Sequence, residues 1–303
     1  MLLSQQIATN RRNTYLLVAL ISLLLLALGA ALGLFWNSPG SGIGIAILAA
    51  FFLGTFSYYQ GDQLILRYSH ARQIAKHDNP QLFNVVEEMA IAAGLPLPQI
   101  YLIEDEAPNA FATGRDPEHA SLAITTGLLK KLNRDQLQGV MAHELSHVQD
   151  RDILYTMMVG VLAGSIVLLS DYVTRYLFWT GGGSLRRRGN RERSQANALL
   201  MALGLVLIIL APLIARLVQL AVSRQREYLA DASAAKLTRY PEGLASALEL
   251  IANDSHELRV ANRATAHLYV VNPFRNRKLA ERNSVFDTHP PLKERIRRLR
   301  ELR

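Results

Sequence analysis

Residues 133–152 read NRDQLQGVMAHELSHVQDRD, and this stretch decides how the chain is interpreted. Asn133 is a typical N-cap residue, so the stretch predicts a helix over residues 135–149. At about 3.6 residues per turn, His143 and His147 lie one above the other on the same face of that helix. Two imidazole nitrogens so placed can bind one zinc ion. A helix with two solvated or buried histidines is the alternative.

A catalytic zinc site needs three protein ligands and one open position. Glu144 lies beside the first histidine, where a carboxylate can take a proton from the zinc-bound water. Glu227 is the candidate third ligand, and Asp231 follows it one helical turn later on the same face. Asp231 can accept a hydrogen bond from a ligating histidine. Alternatively, these two carboxylates pair with Arg224 and Arg226 on an amphipathic helix.

The composition limits the classes of protein to which the chain can belong. It has 303 residues and no cysteine, which excludes disulfides, thiolate nucleophiles and Cys-ligated zinc or iron–sulfur clusters. Half of the residues are hydrophobic and 19% are charged, which argues against disorder and against a wholly soluble enzyme. The net charge of +8 is typical of basic cytoplasmic loops in a membrane protein. We find no nucleic-acid-binding motif, so we expect no nucleic-acid partner.

Four uncharged apolar runs are each long enough to cross a bilayer. They cover residues 15–36, 42–59, 153–170 and 195–215. The first two predict a transmembrane hairpin that turns at residues 37–40. Arginines and lysines flank this hairpin and are absent from its turn, so both of its ends are expected in the cytoplasm.

The second pair of runs is joined by an arginine-rich segment, which opposes translocation. Its arginines are Arg175, Arg186, Arg187, Arg188, Arg191 and Arg193. Two full crossings and a re-entrant hairpin both agree with this pattern. The proposed chemistry requires His147 and Glu227 on one side of the membrane, so the segment between them crosses it twice or not at all.

The remaining segments predict a mixed domain. Apolar spacing predicts helices over residues 81–93, 241–251 and 291–302. Residues 100–103 and 121–125 resemble short strands, and residues 109–114 are a candidate strand between them.

Four motifs together resemble those of HtpX-like membrane zinc metalloproteases and, more distantly, of CAAX prenyl proteases. They are HELSH at 143–147, EYLAD at 227–231, PNAFATG at 108–114 and THPP at 288–291. The resemblance covers nearly the whole chain and includes the four hydrophobic segments. The arginine-rich loop departs from the family pattern.

The resemblance implies a fold and a set of roles. The fold is α+β and mainly α, a zincin-like metalloprotease domain with a small β-sheet, anchored by two hydrophobic helical hairpins. His143, His147 and Glu227 match the ligands of one Zn²⁺ per chain, and Glu144 matches the catalytic base. Asp231 matches a residue that orients a ligand.

Further positions of the family match residues near the proposed site. The segment formed by Asn109, Ala110 and Phe111 resembles an edge strand on which an extended substrate lies by strand addition. His289 resembles a histidine that either stabilises the oxyanion or blocks the open metal position, and a loop histidine is the alternative. Asp152 and Arg295 also match family positions, and we expect structural roles for both.

The expected domain order follows from these segments. Residues 1–61 form an N-terminal transmembrane hairpin, and residues 62–152 form the first part of the protease domain. Residues 153–222 form the second hydrophobic hairpin, and residues 223–303 complete the protease domain.

The expected function is membrane-anchored, zinc-dependent hydrolysis of peptide bonds in membrane or misfolded proteins at the cytoplasmic face, with protein quality control and stress response as the implied setting. The bilayer and polypeptide substrates are the expected partners. The alternatives are a catalytically silent zinc-containing scaffold and a CAAX-type prenyl-protein protease. Polar residues on both sides of the motif argue against an intramembrane protease, and the apolar runs carry no ionisable residue of the kind that a transporter needs.

Overall fold

The structure is a computed structural model that describes residues 3–35, 38–179, 224–256 and 290–302, together with residues 206, 210, 211, 213, 214 and 258. The chain divides into two compact units. Unit 1 comprises Met1–Arg12, Tyr59–Met157 and Leu220–Arg303, and unit 2 comprises Asn13–Tyr58 and Met158–Gln219.

Most of the described residues are helical. The helices are α1 (Leu3–Phe35), α2 (Pro39–Tyr68), α3 (Pro80–Ala93), α4 (Thr126–Lys131), α5 (Arg134–Gln149), α6 (Asp152–Trp179), α7 (Arg224–Thr238), α8 (Pro241–Asn253) and α9 (Leu292–Glu301). The helices predicted over residues 81–93, 135–149, 241–251 and 291–302 are confirmed as α3, α5, α8 and α9, with ends that differ by at most two residues.

A small mixed sheet lies in unit 1. Its strands are β1 (Arg72–Gln73), β2 (Gln99–Ile103), β3 (Ala110–Gly114) and β4 (Ala120–Thr125), in the order β1-β2-β4-β3. β2 and β4 are parallel, and the other two pairs are antiparallel. The three predicted strands are confirmed. β1 was not predicted, because two residues are too few to show a periodic pattern.

The N-terminus of α5 is capped as its sequence predicts. Asn133 Oδ1 accepts a hydrogen bond from the backbone N–H of Gln136 at 2.9 Å, and Gln136 Oε1 accepts one from the N–H of Asn133 at 3.0 Å. This reciprocal capping box satisfies two amides that the helix leaves without partners. At the other end, Arg151 adopts a left-handed φ of 58°, so the chain turns sharply before α6 begins at Asp152.

α5 is the central helix of unit 1, since it contacts α3, α7, α8 and β3. It approaches α8 closely at Gly139. A Cβ atom at Gly139 would lie 2.5 Å from the backbone nitrogen of Leu244. The absence of a side chain therefore allows the two backbones to touch. Val140 and Met141, the next residues of α5, are fully buried in the core.

The long apolar helices agree in part with the expected hairpins. Among the described residues, α2 is the one helix that is long and apolar enough to cross a membrane, and a shorter apolar stretch, Val18–Ala30, lies in α1. Within unit 2, α1 and α2 pack closely, since a Cβ at Gly29 would lie 2.6 Å from the carbonyl oxygen of Gly42. α6 contains the third apolar run. Arg175 of the arginine-rich segment lies within α6 and pairs with Asp171. The rest of that segment's arginines and most of the fourth run lie outside the described residues, so the two membrane hairpins stay a prediction.

We predict that Gly139→Ala destabilises the protein, although alanine favours helix formation. The added Cβ meets the backbone of Leu244 rather than a movable side chain, and such overpacking costs about 1–3 kcal/mol. The expected result is a lower thermal unfolding midpoint in detergent. Gly54→Ala is the matched control, since a Cβ there meets nothing within 4 Å. A Gly139→Ala protein as stable as the wild type would contradict the close contact between α5 and α8.

Candidate metal centre

Three potential metal ligands converge from two helices. His143 and His147 lie on α5 and Glu227 lies on α7, and one donor atom from each lies within 4.8 Å of the others. Glu227 Oε2 is 3.8 Å from His143 Nε2, and Glu227 Oε1 is 3.6 Å from His147 Nε2. Two ligand atoms bound tetrahedrally to zinc lie roughly 3.3 Å apart, given bonds of about 2.0–2.1 Å. The donor types and their spacing therefore fit a zinc ion.

Each imidazole ring is oriented by a buried carboxylate. His143 Nδ1 lies 3.1 Å from Asp231 Oδ1, and His147 Nδ1 lies 3.2 Å from Asp152 Oδ2. Both Nε2 atoms face Glu227, and His143 Nε2 also lies 3.3 Å from Arg295 Nη2. A carboxylate behind a ligating imidazole fixes its tautomer and raises its basicity.

The contact between Asp152 and His147 was not predicted from the sequence. The two residues are five apart, and α5 ends between them, so no helical spacing joins them. The left-handed turn at Arg151 brings Asp152 back beside His147. The position expected for Asp231, by contrast, follows from its spacing of one helical turn from Glu227.

Two arginines neutralise these carboxylates. Arg295 of α9 is fully buried, and its Nε and Nη2 donate to Asp231 at 2.8 and 2.7 Å. Arg295 Nη1 also lies 3.2 Å from Glu227 Oε2. Arg226 Nη2 lies 2.6 Å from Asp152 Oδ1. Arg226 thus pairs with a carboxylate from another helix, whereas the sequence suggested pairing with its neighbours on α7.

The buried charges shift the pKa values of the site. Burial raises the pKa of Glu144, although the two histidines oppose this shift. Burial also opposes ionisation of Asp231, but Arg295 and His143 hold the pKa of Asp231 below its usual range. Burial disfavours the charged form of His147, yet the hydrogen bond to Asp152 and the nearby Glu227 raise the pKa of His147 to about 9.

The predicted substrate strand lies next to the candidate base. β3 is an edge strand of the sheet, and Asn109 precedes it and accepts a backbone hydrogen bond from Thr125 of β4 at 3.0 Å. Backbone groups alternate along a strand, so those of Ala110 and Ala112 point away from β4. The N–H of Ala112 donates to Glu144, which the sequence did not reveal.

The individual residues of this segment have differing surroundings. Asn109 Oδ1 accepts the N–H of Ala110 at 3.1 Å, and Asn109 is itself buried. The Phe111 side chain is fully buried, as expected for a strand in the core. The remaining candidate, His289, lies outside the described residues.

The family model and the curated relatives indicate the same family of proteases. The family model described as Peptidase family M48 matches residues 76–303. A protein named Protease HtpX homolog from Lactobacillus helveticus is 44% identical over 303 residues, which covers 99% of this chain and 100% of that relative. A Protease HtpX homolog from Thermoanaerobacter pseudethanolicus is 44% identical over 295 residues, covering 97% of this chain and 96% of the relative. The crystal structure of S. mikatae Ste24p is 21% identical with a TM-score of 0.48, and the match covers 98% of this chain and 67% of that one.

We predict that Arg295→Met strongly destabilises the protein. It leaves the buried carboxylate of Asp231 without its two hydrogen-bond donors, and breaking a buried ion pair in this way costs about 3–5 kcal/mol. Thermal unfolding in detergent measures the loss. The control is Arg134→Met, because the ion pair of Arg134 with Glu88 is exposed and contributes at most about 1 kcal/mol. If Arg295→Met and Arg134→Met were equally stable, the buried ion pair between Arg295 and Asp231 would be contradicted.

We further predict that zinc binding by the metal-free protein releases at least one proton at pH 7. Below a pKa of about 9, His147 carries a proton that must leave before its Nε2 can bind a metal, so affinity falls as the pH falls. Calorimetry in two buffers of different ionisation enthalpy counts the protons. Asp152→Asn removes the charge that raises this pKa and is expected to release fewer protons. If both proteins released the same number of protons, the assigned effect of Asp152 on the pKa of His147 would be contradicted.

Proposed function

The chain belongs to peptidase family M48 and is a metalloprotease, and from this premise we propose that it is a membrane-anchored, zinc-dependent endopeptidase. In this proposal it cleaves membrane or misfolded polypeptides at the cytoplasmic face, as a quality-control enzyme. The convergence of His143, His147 and Glu227 is the observation that carries the proposal. The family assignment favours this function over a silent zinc scaffold.

In this proposal His143, His147 and Glu227 hold one zinc ion. A zinc ion so bound supplies a Lewis acid for the scissile carbonyl and for the attacking water. The protein keeps both imidazole Nε2 atoms aimed at the centre through Asp231 and Asp152.

Glu144 is the proposed general base. Its carboxylate is buried beside the two histidines and Glu227, and the N–H of Ala112 holds it toward β3. From this position it accepts a proton from the attacking water and then transfers the proton to the leaving amine. The backbone contact ties the orientation of Glu144 to the strand proposed to bind the substrate.

Asn109, Ala110 and Phe111 are the proposed substrate-binding segment. The edge position of β3 supports this role, because an extended peptide can add to the backbone groups that face away from β4. We also propose that His289 acts at this centre, as an oxyanion stabiliser or a resting-state ligand. Its position in the sequence supports this, since α9 begins at Leu292 and carries Arg295 into contact with Glu227.

The membrane anchoring rests on the apolar helices. α2 is long and apolar enough to span a bilayer, and Phe51 and Phe52 on it are each 65% exposed. Glycines at the contact of α1 and α2 allow the close packing common between transmembrane helices. We therefore assign residues 1–61 and 153–222 to two membrane hairpins, and residues 62–152 and 223–303 to the protease domain.

The metal centre restricts the topology of the second hairpin. Because His147 and Glu227 lie on either side of it and meet within 3.6 Å, the chain between them crosses the membrane an even number of times. This supports a multi-pass protein whose two protease segments share one side of the membrane.

We predict that Glu144→Gln keeps zinc but loses turnover. The amide fills the same space but cannot accept the proton, and the loss of a general base lowers kcat by about 10²–10⁴-fold. Metal analysis and cleavage of an unfolded protein in detergent are measured on the same preparations. Glu87→Gln is the control, because Glu87 forms an exposed ion pair with Lys76. An active Glu144→Gln protein would contradict the assignment of Glu144 as the general base.

A further inference from the structure

Arg226 joins the beginning of α7 to the beginning of α6. It immediately precedes Glu227, but its side chain extends to residues of α6. Its Nη2 lies 2.6 Å from Asp152 Oδ1 and donates to the Asp152 carbonyl oxygen at 3.2 Å. Its guanidinium carbon lies 4.2 Å from the centre of the Tyr155 ring, a cation–π contact. Three contacts thus fix a side chain that is only 12% exposed.

The two oxygens of Asp152 have different partners. Oδ1 faces Arg226, and Oδ2 faces His147 Nδ1 at 3.2 Å. The carboxylate is only 2% exposed, so its charge requires a nearby cation. Arg226 supplies this cation and also fixes the plane of the carboxylate. Without Arg226, the carboxylate would lose the contact that fixes its plane, and rotation away from His147 would weaken its hold on the imidazole.

The other histidine has the same arrangement. Arg295 binds both oxygens of Asp231, and Asp231 in turn faces His143 Nδ1. Each imidazole Nδ1 therefore faces a carboxylate, and each of these carboxylates pairs with an arginine that is buried or nearly buried. This repetition on residues from separate segments indicates that the arginine is part of what orients each ligand.

We propose that Arg226 is a positioning residue of the metal centre, held between Tyr155 and Asp152 so that Asp152 Oδ2 stays aligned with His147 Nδ1. The inference rests on the proposed function, since it takes His147 as a metal ligand. It adds a role for Arg226 of α7. Through Asp152, in the first turn of α6, Arg226 orients His147 of α5. The first turn of α6 is thus part of the metal centre, although it supplies no ligand.

The test compares zinc affinity, the visible spectrum of the cobalt-substituted protein, and kcat and KM at saturating zinc, all on the full chain in detergent. Arg226→Met removes the charge and both hydrogen bonds. Arg226→Lys keeps the charge but loses the planar group that stacks on Tyr155. Arg298→Met is the matched control, because Arg298 also stacks on a tyrosine, Tyr228, at 3.9 Å, and pairs with a carboxylate, Glu294, that contacts no candidate ligand.

We expect Arg226→Met to bind zinc about 10–100-fold more weakly, as when other residues behind a metal ligand are lost. Its cobalt spectrum should differ from that of the wild type, and kcat should fall while KM stays within about twofold, because Arg226 does not touch the substrate. Arg226→Lys should bind zinc with an affinity between those of Arg226→Met and the wild type, because it keeps the charge but loses the stacking on Tyr155. Arg298→Met should match the wild type.

Wild-type zinc affinity and an unchanged cobalt spectrum in Arg226→Met would overturn the inference, as would an equal loss in Arg298→Met. If Arg226→Met does not fold, Tyr155→Leu decides, because it removes the stacking surface and leaves the ion pair. Weaker zinc binding by folded Tyr155→Leu supports the inference, and wild-type affinity overturns it. A wild-type protein that binds no zinc would instead overturn the proposed function itself.

Discussion

The packing of α5 against α7 is the constraint on which the site depends, because two of the candidate ligands come from one helix and the third from the other. The two helices are in direct contact, and Glu227 lies 3.8 Å from His143 Nε2 and 3.6 Å from His147 Nε2. Both helices carry small, fully buried side chains, namely Ala142 on α5 and Ala230 and Ala234 on α7. One helical turn before His143, and on the same face of α5, Gly139 approaches the backbone of α8, so a further helix helps to fix the position of α5.

The charged residues around the ligands serve geometry more than stability. Burying an ion pair costs solvation energy that the attraction between the charges only partly returns. The site nevertheless buries two such pairs, Asp231 with Arg295 and Asp152 with Arg226. The carboxylate of each pair faces an imidazole Nδ1. Both Nε2 atoms face Glu227, and His143 Nε2 also lies 3.3 Å from Arg295 Nη2. Orientation of the candidate ligands explains the presence of these ion pairs, because apolar packing cannot orient an imidazole in this way.

Local patterns made much of the fold and the ligand set predictable. The cap at Asn133 and the i,i+4 spacing of the histidines are properties of one helix, and Asp231 is likewise one turn from Glu227. Contacts between distant segments were not predictable in this way. Asp152 reaches His147 only through the left-handed turn at Arg151, and Arg226 pairs with a residue 74 positions away. The charge pattern of α7 alone favoured the pairing of Arg226 with carboxylates of its own helix. The N–H of Ala112 reaches Glu144 because the sheet packs on α5, which no spacing encodes.

The order of the ligands along the chain also sets the order in which the centre can form during synthesis. Glu227 follows His147 by eighty positions, and at about 5–20 residues per second a ribosome needs roughly 4–16 s to extend the chain from one to the other. Arg295, which neutralises Asp231, follows later still. A growing chain therefore carries His143, Glu144 and His147 well before it has Glu227. The candidate site can be complete only after the intervening apolar segment has been made.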